Sequence, residues 1–381
     1  MAAPRIRLGM VGGGRGAFIG AVHRIASRID DKYELVAGAL SSNPENAKAS
    51  AEDLLIAPER SYASYEEMFK AEAAREDGIE AVAIVTPNHM HFPVAKAALE
   101  AGINVICDKP VTRTLEEALE LEQLVKKSDS FFALTHNYSG YPLVRYAREM
   151  VERGDLGNIR LVQVEYPQEW LTEAQGDDNK QASWRTDPAR SGAGGCLGDI
   201  GTHAFQLARF ISGQKVSSVC ADLTAFVPGR QVDDNVHVMM RFENGAKGLL
   251  WTSQVAPGCE NGLRIRIYGD KAGLEWAQET PNELWLTPLF AHHQRITRRN
   301  DNIDSDIAAR GIRIPQGHPE GYLEGFATVY SDIAEVLQAK RDGKKIDIES
   351  WIPGIETGVE GLKFISAVIA SSEADSRWTA L

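Results

Sequence analysis

Cysteine is scarce: four in 381 residues, at Cys107, Cys196, Cys220 and Cys259. They are widely spaced with no C-x-x-C, which argues against a zinc knuckle or a redox pair and for buried thiols in a reducing compartment. A basic excess is missing too, since 41 Lys plus Arg stand against 53 Asp plus Glu, a formal net charge of −12. That balance opposes phosphate backbones and leaves no basic footprint for nucleic acid; a small neutral substrate suits it better. The opening MAAPRIRLGMVGGG is broken by glycines before it reaches the length of a signal h-region, and no stop-transfer span follows. We therefore expect a cytoplasmic protein with no membrane partner. There is no internal repeat or low-complexity tract. A composition that is 43% hydrophobic and 25% charged excludes disorder and a collagen-like chain. At roughly 100–200 residues per domain, the length predicts about two domains.

The first third alternates strand and helix. Residues 6–11 form a short apolar run, Gly12, Gly13, Gly14 and Gly16 break it, and residues 18–29 carry apolar side chains at helical spacing. Residues 34–40 read as a second strand, after which Asn43 offers an N-cap and Pro44 a first helical position. Ser64 with Glu67, and Thr114 with Glu117, have capping-box spacing and place helices near 65–75 and 115–127. Residues 81–86, 104–107 and 131–135 are apolar runs of the kind buried on both faces of a parallel sheet. The pattern predicts a doubly wound α/β domain over 1–137. The remainder, 138–381, reads as α+β: strands over 159–166, 216–226, 236–242, 248–254 and 263–268 in a mostly antiparallel sheet, and helices near 139–153, 199–212 and 322–341. Residues 292–320 are expected to form a long loop.

Gly12, Gly14 and Ala17 match G-x-G-x-x-G/A between a strand and a helix, where a pyrophosphate would meet free helix amides. No Lys-Ser or Lys-Thr follows at P-loop spacing. The acid expected about 20 residues on, at the end of the second strand, is missing. Ser41, Ser42 and Asn43 stand there instead, with Arg15 in the glycine turn able to pair with a 2′-phosphate, so NAD and NADP both remain open.

Two loops leave the carboxyl edge of the sheet, where open α/β folds bind ligands. One is Thr86-Pro87-Asn88-His89-Met90-His91; the other is Cys107-Asp108-Lys109-Pro110. A lysine there is a candidate proton-transfer partner. The histidines supply only two ligands on a loop, so hydrogen bonding to cofactor or substrate is the reading, and no metal is expected. In the second domain, a glycine-dense stretch leads to Asp199 and His203, four residues apart at the start of a helix. Histidine is the side chain best suited to accept a proton near pH 7.

These motifs add up to a resemblance that covers nearly the whole chain. The glycine turn, TPNHMH, DKP in place of EKP, WRTDPARSGAGGCLGDIGTHAFQLARF, YGDKAGLEW and HPEGYLEGF together resemble the glucose-fructose oxidoreductase, inositol dehydrogenase and rhizopine-catabolism (Gfo/Idh/MocA) family. The resemblance implies an N-terminal Rossmann domain, an open antiparallel sheet behind it, and homodimers or homotetramers packed through that sheet. It implies an NAD(P)-dependent dehydrogenase acting on a sugar, sugar derivative or polyol. Lys109 would contact substrate and nicotinamide ribose, and Asp199 and His203 would lie against the reacting carbinol, with the histidine as proton acceptor. Cofactor contacts are expected from Gly12, Gly14, Arg15, Ala17, Ser41, Ser42, Thr86, Asn88, His91, Asp108, Lys109 and Asn137. Substrate contacts are expected from His136, Tyr138, Trp184, Arg185 and His318. Two further departures stand out: Asp108 replaces the EKP glutamate, and Gln206 stands where many members have an aspartate. The rival readings are a glycosidase that oxidises its sugar transiently and a non-catalytic dinucleotide sensor. A nucleophile-elbow hydrolase has no support, since the chain has no G-x-S-x-G.

Overall fold

The computed structural model describes residues 4–174, 188, 192–298 and 303–381. The chain divides into two compact units, Met1–Asn137 with Tyr322–Val359, and Tyr138–Gly321 with Glu360–Leu381.

In the first unit β1 (Ile6–Gly12), β2 (Tyr33–Ala39), β3 (Ala81–Val85), β4 (Asn104–Cys107) and β5 (Phe132–Leu134) form a parallel sheet in the order β2-β1-β3-β4-β5. Every residue of β3 is buried, as its unbroken apolar run requires of a central strand covered on both faces. Helices α1 (Phe18–Ile29), α2 (Pro44–Asp53), α3 (Tyr65–Ala73), α4 (His91–Glu100) and α5 (Leu115–Lys127) supply the crossovers. Their starts follow the side-chain logic of the sequence. Asn43 Oδ1 accepts from Asn46 N at 2.9 Å, with Pro44 at the first helical position. The Thr114–Glu117 pair closes both halves of its capping box. The strand order reverses between β1 and β3, which puts the ligand crevice of such a sheet beside Gly12 and Thr86.

One segment joins this unit from far along the chain. The helix Tyr322–Arg341 packs on α1 and β1. Tyr330 anchors it: its hydroxyl lies 2.7 Å from His23 Nδ1, and its carbonyl accepts from Tyr33 Oη at 2.8 Å. Residues 322–359 thus group with the first compact unit, not with the segment 138–321 that precedes them. The cause is tertiary: buried aromatic contacts draw residues 322–359 back to the first sheet.

The second unit is built on a nine-stranded sheet in the order β13-β12-β11-β10-β6-β9-β8-β7-β14. Its strands are β6 (Ile159–Pro167), β7 (Val216–Thr224), β8 (Asn235–Phe242), β9 (Lys247–Ser253), β10 (Arg264–Gly269), β11 (Ala272–Ala277), β12 (Glu283–Pro288), β13 (Gln294–Thr297) and β14 (Thr379–Ala380). All neighbours are antiparallel except β6 and β9. Helices α6 (Pro142–Glu152) and α7 (Thr202–Ser212) cover one face, where Tyr141 meets Trp276 edge-on and Phe205 stacks on Phe364 at 4.0 Å. The span 292–320, expected as a loop, contains β13 and a short helix, Asp306–Ala309. A buried ion pair pins it, Arg298 Nη1 to Glu320 Oε2 at 2.5 Å, and Glu320 Oε1 accepts from Arg313 N and Ile314 N.

Candidate active site

The glycine turn is shaped by backbone approach. Gly12 and Gly13 hold φ of +81° and +74°, in the left-handed region that favours glycine. A Cβ on Gly12 would lie 2.8 Å from the Val85 carbonyl oxygen, and one on Gly14 would lie 2.7 Å from that of Leu40. Gly14 N donates to the Leu40 carbonyl at 3.0 Å, which ties the turn to the end of β2. Ala17 is the N-cap of α1, and the close packing of strand and helix is made by Gly20, whose Cβ would fall 2.3 Å from Gly13 Cα. Gly20 is a residue the fingerprint missed; its signal was a glycine within the helical run FIGAV.

Arg15 is held by Asp53, Nε to Oδ2 at 2.6 Å and Nη2 to Oδ1 at 2.7 Å. Ser41 Oγ accepts from Asn43 N at 3.1 Å and Asn46 Nδ2 at 3.2 Å, and Ser42 is exposed beside it.

Asp108 anchors the lysine loop. Its Oδ1 accepts from Lys109 N at 2.9 Å and Thr135 Oγ1 at 3.0 Å, and lies 3.7 Å from His23 Nε2. Burial acts to raise the Asp108 pKa, but the nearby imidazole of His23 and the positive charge of Lys109, with His91 adding to them, outweigh it, so the carboxyl sits well below its usual range. The shorter acid is thus a fixed anion that sets the backbone carrying Lys109, which is itself half-buried. His136 is buried nearby; burial first, and then the Lys109 ammonium, lower its pKa to about 3. Burial thus favours the neutral ring near pH 7.

His91 is buried between the two loops. Its Nδ1 lies 2.7 Å from the Pro110 carbonyl and its Nε2 lies 2.9 Å from that of Thr86. With both ring nitrogens beside backbone carbonyls, the side chain links the Thr86 loop to the Pro110 loop. Asn88 is buried. Thr86 Oγ1 and Asn137 Nδ2 are also buried and have no hydrogen-bond partner among the described residues. Buried polar groups in native proteins are nearly always paired, so these atoms fit a polar ligand at the carboxyl edge of the sheet. A glycine cradle at a helix start and such atoms beyond it are what a dinucleotide requires.

In the second unit a single wide turn, Leu197–Gly201, precedes α7 and closes on the Thr202 N to Leu197 carbonyl bond. Such turns recur at functional sites because they shift a side chain relative to the helix that follows. Asp199 lies in this turn and its Oδ2 accepts from Gln254 Nε2 at 3.0 Å. His203 lies in the first turn of α7, half-buried, with its ring edge-on to Tyr138 at 5.0 Å and tilted against Tyr166 at 6.3 Å. The Tyr138 hydroxyl lies 2.7 Å from that of Tyr166, which donates to Asn261 Oδ1, so Tyr138 positions the histidine ring. Gln206 is buried and its Oε1 has no partner among the described residues. His318 is exposed, on a turn whose carbonyl accepts from Arg298. Trp184 and Arg185 lie outside the described residues.

Asp233, unremarked in the sequence, holds the glycine-dense stretch. Its Oδ1 accepts from Gly195 N at 2.8 Å and its Oδ2 from Leu197 N at 2.7 Å. Burial raises its pKa to about 6, against the two amide hydrogen bonds. An unfolded aspartate titrates near ~3.9, so the folded state keeps this proton longer. The stability it contributes is complete below about pH 4 and is lost as pH rises through about 6. Asp233→Asn should therefore lose less stability than the parent between pH 4 and 7, measured by urea unfolding at each pH. Equal losses would contradict this assignment.

Among the described residues no three His, Cys, Asp or Glu side chains gather to hold a metal, and no helix is long and apolar enough to cross a membrane.

Comparison with known proteins identifies the family of both domains. Residues 6–136 match the model of the oxidoreductase family with an NAD-binding Rossmann fold, and residues 144–275 match the GFO/IDH/MocA C-terminal domain. The uncharacterized oxidoreductase YfiI of Bacillus subtilis is 37% identical over 98% of this chain and 96% of its own. Levoglucosan dehydrogenase of Pseudarthrobacter phenanthrenivorans is 31% identical over 76% of this chain and 77% of its own. The crystal structure of an inositol dehydrogenase homolog from Azotobacter vinelandii, complexed with NADH and myo-inositol, superposes with a TM-score of 0.92. It is 34% identical and covers 100% of this chain and 98% of its own. An oxidoreductase from Sinorhizobium meliloti gives 0.90 at 53% identity, with 99% of each chain covered. The chain thus belongs to the Gfo/Idh/MocA family of oxidoreductases, and its N-terminal domain is an NAD-binding Rossmann domain.

Proposed function

We propose that the protein is an NAD-dependent dehydrogenase of a sugar, sugar derivative or polyol. The observation that carries this reading is the braced histidine of α7 preceded by Asp199, on a chain with a glycine cradle for a dinucleotide. The neighbours named for inositol and levoglucosan oxidation favour a polyhydroxylated substrate.

Bound NAD supplies a hydride acceptor at C4 of its nicotinamide ring. The backbone of Gly12, Gly13 and Gly14 would hold its pyrophosphate, and Thr86, Asn88 and Asn137 its polar groups. His203 takes the hydroxyl proton of the substrate as the carbinol hydrogen leaves with its electron pair, giving a carbonyl. The Lys109 ammonium orients that oxygen and stabilises its developing charge. Asp199, fixed by Gln254, accepts from a neighbouring hydroxyl, and Gln206 Oε1 accepts from another. Reduction runs the same path in reverse. Leu161, Met239, Leu249 and Tyr268 are between 38% and 51% exposed on strands of the large sheet, an apolar face suited to a second copy of the chain.

The test is a panel of sugars, inositols and glycosides added to the protein with NAD⁺, read at the nicotinamide absorbance band. Substrate-dependent reduction is the expected result. Release of an aglycone without net reduction would replace this reading with the glycosidase one.

A further inference from the structure

We infer that Asp53 selects NAD over NADP by occupying the Arg15 guanidinium, the one cation of the glycine turn. This inference rests on the NAD-dependent reading above and assigns its cofactor choice to a named pair. The two cofactors differ by a phosphate on the adenine ribose 2′-oxygen. In dinucleotide folds that position is read near the end of the second strand, where an acid selects the diol and an arginine the phosphate. In this chain β2 ends at Ala39 and runs into Leu40, Ser41, Ser42 and Asn43, with no acid. Read along the sequence, Arg15 is then free to favour the phosphate.

The structure supplies the missing acid from elsewhere. Gly14 N on the Leu40 carbonyl, at 3.0 Å, brings the glycine turn to the end of β2. Arg15 N on Ser50 Oγ, at 2.9 Å, ties the same turn to α2, whose last residue is Asp53. The Asp53 carboxylate then meets the guanidinium in the two-point geometry that a phosphate would otherwise take, at 2.6 and 2.7 Å. Both side chains are about half exposed, 54% and 50%, so the pair stands where an arriving ligand meets it. The charge of Glu52 also acts on Arg15, so the three groups sum to −1 and oppose a phosphate dianion. A ribose diol carries no charge and pays no such penalty. Ser41 suits it: Oγ already accepts two hydrogen bonds, which leaves its O–H to donate.

The experiment titrates the full-length protein with NADH and with NADPH, following quenching of tryptophan fluorescence, so no substrate or turnover is needed. The parent is expected to bind NADH more tightly. In Asp53→Ala the ratio of NADH to NADPH affinity should fall by roughly tenfold, the worth of one charged hydrogen-bonded contact. Asp53→Asn should fall in the same direction, and adding Arg15→Ala should cancel the change. A parent that prefers NADPH, or a ratio that does not move in either Asp53 variant, overturns the inference. Failure of the parent to bind either nucleotide would instead overturn the NAD-dependent reading on which it rests.

Discussion

Replacing His203 by alanine should lower kcat by roughly 10²–10⁴-fold, the usual contribution of a positioned general base. The side chain is placed for that role: it leaves the first turn of α7, and its ring is held edge-on by Tyr138, whose hydroxyl is fixed in turn by Tyr166 and Asn261. Beside it among the described residues, Asp199 is engaged with Gln254, and Gln206 carries no base. Lys109→Ala should lose turnover on a similar scale, because no other ammonium sits on the loop that Asp108 anchors. Both variants should still quench on addition of NADH, since the glycine cradle is built from other residues. Turnover within about threefold of the parent in either variant would remove that residue from the mechanism.

Gly20→Val should destabilise the protein by about 1–3 kcal/mol or more, the range for overpacked sites. The added Cβ would fall 2.3 Å from Gly13 Cα and 2.7 Å from the Gly13 carbonyl oxygen. These are backbone atoms, so the contact cannot be relieved by turning a side chain, and α1 must move away from β1. Gly13 belongs to the phosphate turn, so NADH affinity should fall along with the melting temperature. Gly361→Ala is the matched control. It lies inside the helix Ile355–Glu373 with nothing within 4 Å of its added Cβ, so it should gain up to about 1 kcal/mol from helix propensity and leave NADH binding alone. Normal NADH affinity in Gly20→Val would contradict the role given to that helix in shaping the turn.

The parallel sheet was legible because a strand buried on both faces must read as an apolar run, and β3 and β4 do so. The capped helices were legible because Asn43, Ser64 and Thr114 act locally, each bonding an amide three residues on. What was hidden depends on residues distant in sequence. The return of Tyr322–Arg341 to the first unit rests on Tyr330 meeting His23 and Tyr33, about 300 residues away. β12 and β13 lie toward an edge of the large sheet and present mixed surfaces, so neither strict alternation nor a continuous apolar run marks them. In the site, Asp199 and His203 were visible as types and spacing, but the wide turn that separates them was not. Arg15 was legible as a cation; its engagement by Asp53, 38 residues on, was not. His91 was legible as a residue at a sheet edge; the Thr86 and Pro110 carbonyls beside its ring nitrogens were not.

The most direct measurement follows one hydrogen. A substrate identified from the panel, deuterated at its carbinol carbons, is turned over with NAD⁺, and the reduced cofactor is analysed by mass and proton resonance. The account predicts one deuterium at C4 of the nicotinamide for each carbonyl formed, with no deuterium in His203→Ala above its residual rate. Reduced cofactor without deuterium, or product formed with no reduced cofactor accumulating, would contradict it.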